Sequence, residues 1–126
     1  MEVTSRQFAD VTLIQVQGRI SDYEAARNFE DSLSPFLDAC VAGETKKILL
    51  DFGGVDFMTS AGLRVLMVVA KTCEKQKGEI VVAALQPIIK KIFEISRFDL
   101  IIKIFPNVKS ALEAMSSSAA ALYPGS

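Results

Sequence analysis

Apolar and polar residues alternate in some parts of the chain and recur every three or four residues in others. The alternating or continuously apolar segments predict strands, because successive side chains of a strand point to opposite faces of a sheet. They lie at residues 1–8, 11–17, 46–52, 79–85 and 101–105. The first two flank Ala9-Asp10 and predict a hairpin that ends at Gly18, whereas the near-continuous run from Lys46 is typical of a central strand covered on both faces.

Segments with apolar residues at helical spacing predict helices between these strands. They start at Tyr23, at Thr59 or Ser60, at Gln86-Pro87 and at Val108. Pro35 lies inside the first segment, so we expect that helix to be kinked or broken into two pieces. Gly53-Gly54 predicts a short loop between the central strand and the second helix.

Strands separated by helices predict an α/β fold with a mainly parallel sheet and right-handed connections. The N-terminal hairpin adds antiparallel pairing, so the sheet should be mixed, with about four packed α-helices. The length of 126 residues suits a single domain, which we place at residues 1–115. Residues 116–126 are small and polar and end in Pro-Gly-Ser, so we expect a disordered tail.

The composition narrows the classes of function. A net charge of -1, from 14 basic and 15 acidic side chains, argues against a nucleic-acid-binding protein. The chain has no histidine, so the commonest general base and metal ligand is missing, and we expect no metal and no cofactor. Cys40 and Cys73 lie far apart in apolar helical segments and are expected to be buried thiols. Without a signal peptide or an apolar run of roughly 18 residues, we expect a cytoplasmic protein with no membrane insertion.

Thr59 and Ser60 form the pattern with the most functional interest. Their hydroxyls stand where a long helix begins, so either residue can act as an N-cap by accepting from a free helix amide. The alternative is a regulatory hydroxyl that carries phosphate. The apolar surface of the following helix includes Val65, Val68 and Val69 and is broader than one packing face needs, so either a neighbouring helix or a partner covers it.

Two features invite an enzymatic interpretation, and both are weak. Gly53-Gly54 before a helix suggests a phosphate-binding loop, but the Lys-Ser/Thr that a P-loop needs after its glycines is absent. Asp51 and Asp56 form a candidate carboxylate pair for acid–base or metal chemistry, although Asp near a strand end more often serves a turn or a cap. We therefore expect that the protein is not an enzyme.

Several motifs resemble the STAS domain family, the anti-sigma-factor antagonists of bacteria. The resemblance extends from about residue 3 to residue 115. The motifs are Gly18-Arg19-Ile20, Leu50-Asp51-Phe52, Val55-Asp56-Phe57-Met58, Ser60-Ala61-Gly62-Leu63, Gly78-Glu79-Ile80-Val81-Val82-Ala83, Pro87 and Lys91-Ile92-Phe93-Glu94.

The resemblance implies a switch. In the antagonists, a serine at the position of Ser60 is phosphorylated by a partner that is both a serine/threonine kinase and an anti-sigma factor. The unphosphorylated form binds that partner, and a phosphatase restores this form. Thr59 is a second candidate acceptor, and we expect a monomer or a homodimer. The residues expected at the partner surface are Ser21, Asp22, Met58, Thr59, Ala61, Gly62, Leu63 and Val65.

Two positions depart from the family pattern. The residue before the phosphorylated serine is often Asp, but here it is Thr59; the family's Leu-Asp after the hairpin becomes Ile20-Ser21, with Asp22 one step later. Both changes lie in the segments expected to meet the partner. A second interpretation is a STAS scaffold in a stressosome-like or transport complex, where Thr59-Ser60 is a docking surface.

Overall fold

A computed structural model describes residues 1–124 and contains one five-stranded sheet covered by helices on both faces. The strands are β1 (Glu2–Phe8), β2 (Val11–Ile20), β3 (Lys47–Met58), β4 (Glu79–Ala83) and β5 (Lys103–Phe105). The α-helices are α1 (Tyr23–Val41), α2 (Ser60–Lys75), α3 (Pro87–Ile95), α4 (Val108–Met115) and α5 (Ser117–Leu122), with a 3-10 turn at Phe98–Leu100. The predicted α/β fold with a mixed sheet is confirmed, with one α-helix beyond the four expected.

The strands lie in the sheet in chain order, β1-β2-β3-β4-β5. Strands β1 and β2 are antiparallel, and each of the other neighbouring pairs is parallel. Parallel neighbours need a crossover, and α1, α2 and α3 supply the three connections. Strand β3 is central, and its residues Ile48, Leu49 and Leu50 are almost inaccessible to solvent, as the continuous apolar run predicted.

Alternate side chains of the strands build two separate cores. Helices α1, α2 and α3 pack on one face, where Phe29 of α1 meets Phe52 of β3 edge to face at 6.0 Å between ring centroids. Helices α4 and α5 pack on the other face, against residues such as Leu49. Cys40 and Cys73 are both buried, as predicted. Burial, and to a smaller extent the neighbouring Cys40, raise the pKa of the Cys73 thiol to about 12, so this thiol is protonated at neutral pH.

The glycines near the ends of β2 and β3 do not end these strands, which corrects two predictions. Strand β2 continues through Gly18 to Ile20, and β3 continues through Gly53-Gly54 to Met58. The pairing register of β2 with β3 shifts between Gln15 and Gln17 and again between Gly18 and Arg19, as at β-bulges. A Cβ on Gly54 would lie 2.6 Å from Cγ of Gln17, so glycine here permits close approach of two strands and does not make a loop.

Helix α1 runs unbroken from Tyr23 to Val41, so the predicted break at Pro35 does not occur. Proline cannot donate to the carbonyl group four residues before it, which here belongs to Asp31. Both Pro35 and Asp31 are exposed, so this turn of the helix faces solvent.

The C-terminal segment is also more ordered than expected. Residues 117–122 form α5, which Ser116 caps, and Ala119 is fully buried against the sheet. Tyr123 then packs edge to face on Phe8, with 5.6 Å between ring centroids. The expectation of disorder from residue 116 is therefore wrong for this helix, because small residues allow close packing. Gly125 and Ser126 of the predicted tail lie outside the described residues.

Candidate functional site

The parallel strands β2 and β3 end at the same edge of the sheet, and this brings two polar segments together. Ile20, the last residue of β2, pairs with Met58, the last residue of β3. The amide of Thr59 then donates to the carbonyl oxygen of Ile20 at 3.0 Å. Each of these two strands leads directly into a helix, so Ser21-Asp22 and Thr59-Ser60 become neighbours, although about 40 residues separate them in sequence.

The first turn of α1 is held by a side-chain cap. Asp22 has extended backbone angles, and its Oδ1 accepts from the amide of Ala25 at 2.8 Å. The carbonyl oxygen of Asp22 accepts from Ala26 at 3.0 Å. Asp22 thus satisfies one of the free amides that every helix start leaves, and its negative charge suits the positive end of the helix dipole.

The first turn of α2 has no such cap. Thr59 occupies the N-cap position with extended backbone angles, and its carbonyl oxygen accepts from Gly62 at 3.0 Å and Leu63 at 3.2 Å. Its side chain caps nothing, and its Oγ1 is buried without a hydrogen-bond partner in the structure. Ser60 follows as the first helical residue, and it is exposed. The predicted helix start is confirmed, but neither hydroxyl caps it.

Gly62 fixes how closely this helix start approaches the sheet. It is buried, and a Cβ at this position would lie 2.9 Å from Cγ2 of Ile20 and 2.9 Å from Cγ of Met58. Real Cβ atoms essentially never come this close to other heavy atoms, so only glycine fits here without displacing the side chains of Ile20 and Met58. Gly62 of the Ser60-Ala61-Gly62 motif therefore has a steric role, in addition to its match with the family pattern.

The residues predicted for the partner surface differ in exposure. Ser21, Asp22 and Ser60 are exposed, and Thr59, Ala61 and Leu63 are partly exposed. Met58, Gly62 and Val65 are buried. The structure thus brings all the predicted residues to one edge of the sheet, with the buried residues beneath the exposed ones.

A groove of about 780 Å³ lies between α1 and α2 and reaches Ser60. Three side chains of each helix define its walls; they are Tyr23, Arg27, Glu30, Ser60, Arg64 and Val68. Tyr23 is 76% exposed and Val68 is 48% exposed, so part of the broad apolar surface of α2 remains open.

Most of these groove residues were absent from the sequence-based prediction. The spacing of four from Ser60 to Arg64 and Val68 places those side chains on one helix face and would have found them. Arg27 and Glu30 belong to the site through the packing of α1 on α2, for which the sequence gives no local signal.

The carboxylates considered for catalysis have structural partners. Oδ1 of Asp51 accepts from the amide of Gly53 at 2.9 Å. Asp56 lies 3.4 Å from Nε of Arg19, whose guanidinium stacks 5.5 Å from the ring centroid of Phe57. Asp51 supports the local backbone, as a turn residue does, whereas Asp56 lies within β3 and forms a surface ion pair in place of the expected turn or cap.

These features define a known class. Residues 2–111 match the sequence model of the STAS domain family, and the chain belongs to this family. The resemblance seen in the sequence is therefore confirmed. None of the helices described within residues 1–124 is long and apolar enough to cross a membrane.

The chain is similar to several proteins described as anti-sigma factor antagonists. It is 32% identical over 122 residues to BtrV of Bordetella bronchiseptica, provisionally named an anti-sigma factor antagonist, with 97% of this chain and 98% of BtrV covered. A crystal structure of an anti-sigma factor antagonist from Mycobacterium paratuberculosis is 23% identical, with a TM-score of 0.75 over 90% of this chain and 92% of that one. SpoIIAA of Bacillus in its phosphorylated form is 17% identical, with a TM-score of 0.69 over 91% of this chain and all of SpoIIAA. The two structural likenesses establish the fold.

Proposed function

We propose that this chain is an anti-sigma factor antagonist whose binding to its partner is switched by phosphorylation of Ser60. The partner implied by the family is both a serine/threonine kinase and an anti-sigma factor. Unphosphorylated chain binds this partner and releases the sigma factor, and a phosphatase reverses the modification. The observation that carries the proposal is the exposed hydroxyl of Ser60 at the uncapped start of α2.

Exposure favours Ser60 over Thr59 as the acceptor. A kinase must bring its phosphoryl donor into contact with the hydroxyl oxygen. Oγ1 of Thr59 is buried at the end of β3, whereas Ser60 is exposed on the first turn of the helix. Phosphorylation of Thr59 would require this turn to open first.

The start of α2 can accept a phosphate without unfolding. Phosphorylation adds about -1.5 to -2 charge units and strong acceptor oxygens. Free amides and the positive end of the helix dipole stabilise an anion at this place. At a packed interface, the same charge must lose its water and meets any acidic or apolar partner surface unfavourably. The fold persists while the complex dissociates, so the protein acts as a switch and catalyses nothing itself.

The comparisons support this proposal at two levels. BtrV covers almost the full chain and carries the description of an antagonist. SpoIIAA, which shares the fold, has been solved in both phosphorylated and unphosphorylated forms.

The test uses three forms of the chain as bait in lysate of the cells that produce it: unmodified, Ser60→Ala and Ser60→Asp. We expect the unmodified and Ser60→Ala forms to retain a protein with serine kinase activity, and Ser60→Asp to bind it at least about tenfold more weakly, a change of about 1.4 kcal/mol. With ATP, that protein should phosphorylate the unmodified chain and not Ser60→Ala. Equal retention by Ser60→Ala and Ser60→Asp would contradict the proposal.

The matched controls are Ser118→Ala and Ser118→Asp. Ser118 is an exposed serine on α5, on the opposite side of the sheet, so its replacement changes charge by the same amount. Neither control should alter retention of the kinase.

One observation favours the scaffold as a second candidate. Ile88 and Ile95 of α3 and Leu100 of the 3-10 turn are all more than half exposed, and this apolar surface lies outside the groove. A scaffold would bury it against further copies of the chain. Size-exclusion chromatography distinguishes the candidates, because an antagonist elutes as a monomer or dimer and a scaffold as a larger assembly.

A further inference from the structure

The groove between α1 and α2 places two arginines next to Ser60. Arg64 lies four residues after Ser60 on the same helix face. Long side chains of a helix lean toward its N-terminus, so the Arg64 side chain covers the turn that begins at Ser60. Arg27 reaches the groove from the facing wall, on α1.

Neither groove arginine is engaged by a carboxylate. Over residues 1–124, the ion pairs are Arg19–Asp56 and Lys47–Asp10, and both lie outside the groove. Glu30 is the one acidic residue of the groove lining, which therefore carries a formal charge of +1. Two guanidinium groups without partners beside a serine form a site for an anion.

We propose that the phosphate on Ser60 binds in this groove, to the guanidinium groups of Arg64 and Arg27. The inference rests on the phosphorylation of Ser60 proposed above and adds where the phosphate goes. Arginine forms paired, charge-assisted hydrogen bonds to phosphate oxygens, so each guanidinium supplies a fork of donors. The phosphate satisfies both arginines and inverts the groove charge from +1 to about -1.

This arrangement changes the surface that a partner meets. In the unphosphorylated chain, the groove offers two free arginines beside the exposed Tyr23 and Val68. In the phosphorylated chain, the same arginines are occupied from within. The modification thus removes two binding groups in addition to adding a charge.

The test needs no kinase. Phosphoserine is installed at position 60 during synthesis, and the second pKa of its phosphate is read from the ³¹P chemical shift during a pH titration. Nearby cations stabilise the dianion, so this pKa should lie about one unit below that of phosphoserine installed at the exposed position 118.

Substitutions then separate the arginines from the helix start. Arg64→Gln and Arg27→Gln should each raise the pKa of the phosphate by roughly half a unit. Arg6→Gln is the matched control, because it removes the same charge from β1 and should leave that pKa unchanged. Circular dichroism and urea unfolding confirm that each variant is folded.

Two outcomes would overturn the inference. If neither groove variant moves the pKa, the helix amides alone hold the phosphate; if one variant moves it, the two-arginine site is wrong. Because phosphoserine is installed directly, neither outcome bears on whether a kinase modifies Ser60. Absence of the phosphate in cells would instead overturn the proposed function and leave the titration result standing.

Discussion

Helices α1 and α2 begin side by side at the same edge of the sheet, yet their first turns are stabilised differently. Asp22 caps α1 through the amide of Ala25, whereas Thr59 makes no cap for α2. Oγ1 of Thr59 is buried and unpaired, and Ser60 is the first exposed residue that carries a hydroxyl. A capped start serves stability, while an uncapped start leaves amides available for a phosphate. The difference separates a helix start with a structural role from the one that we propose to be regulatory.

Of the substitutions considered, replacement of Gly62 by valine, near the uncapped start of α2, should lower the free energy of unfolding most. The new Cβ would lie 2.9 Å from side-chain carbons of Ile20 and Met58, so these side chains or the first turn of α2 must shift. We expect Gly62→Val to lower the free energy of unfolding by about 2 kcal/mol, as overpacked cores do, in urea denaturation. Lys71→Val, on an exposed position of the same helix, controls for helix propensity. Equal losses for the two variants would contradict the steric account.

Removal of the cap on α1 should have the next largest effect. Asp22→Ala leaves the amide of Ala25 without its side-chain acceptor. We expect a loss of about 1 kcal/mol in the free energy of unfolding, measured by urea denaturation at pH 7. Asn107→Ala, which removes the equivalent cap from Ser110 of α4, should lose a similar amount. A variant as stable as the parent chain would show that the Asp22 cap contributes nothing.

Removal of the hydroxyl at the N-cap position of α2 should leave the free energy of unfolding unchanged or raise it slightly. Thr59→Val keeps the shape of the side chain and replaces a buried, unpaired hydroxyl with a methyl group. A buried polar group without a partner is unfavourable, so this variant should be as stable as the parent or up to about 1 kcal/mol more stable. The measurement is the same urea denaturation as for Asp22→Ala. A loss as large as that of Asp22→Ala would mean that Thr59 does cap α2.

Helix α5 is capped by Ser116, and this cap is hydrogen-bonded to the titratable carboxylate of Asp10. Ser116 accepts from Ala119 at 3.2 Å and donates to Asp10 at 2.6 Å, and Lys47 lies 2.9 Å from the Asp10 carboxylate. The hydrogen bond from Ser116, and then that from Lys47, lower the pKa of Asp10 below its ordinary value of 3.8.

A lowered pKa in the folded state means that ionised Asp10 stabilises the fold above about pH 3.8, and that this contribution is lost as the pH falls through the folded-state pKa. Asp10→Asn should therefore be slightly less stable than the parent at pH 7, and the difference should shrink as the pH falls below 3.8. Urea midpoints of both chains across this range provide the measurement. A difference that stays constant into acid would contradict the role of the charge.

The periodic pattern was sufficient for most of the fold. Local spacing predicts the hairpin, the buried central strand, the proline at the start of α3 and the start of α4 at Val108, and the structure has all of them. The glycines misled because Gly53-Gly54 is a common loop signal, while its reason here is the approach of Gln17 from β2. Helix α5 depends on contacts with Asp10 and Phe8, more than 100 residues away in sequence, which no local pattern contains.

The candidate site divides in the same way. Ser60 at a helix start is visible in the sequence, and its neighbour Arg64 follows from helical spacing. The proximity of Asp22 to Ser60 depends on β2 and β3 ending side by side, and the position of Arg27 depends on the packing of α1 on α2, so helical spacing alone predicts neither. Burial of the Thr59 hydroxyl, which distinguishes the two candidate acceptors, is likewise a tertiary feature.

The most direct test of the central claim is mass spectrometry of the protein purified from the cells that produce it. Trypsin releases residues 48–64, a peptide in which Thr59 and Ser60 are the two hydroxyl-bearing side chains. Fragment ions that separate these two residues locate a phosphate without ambiguity. The account predicts a partly phosphorylated peptide with the phosphate on Ser60. Phosphate on Thr59, or none under any growth condition, would contradict it.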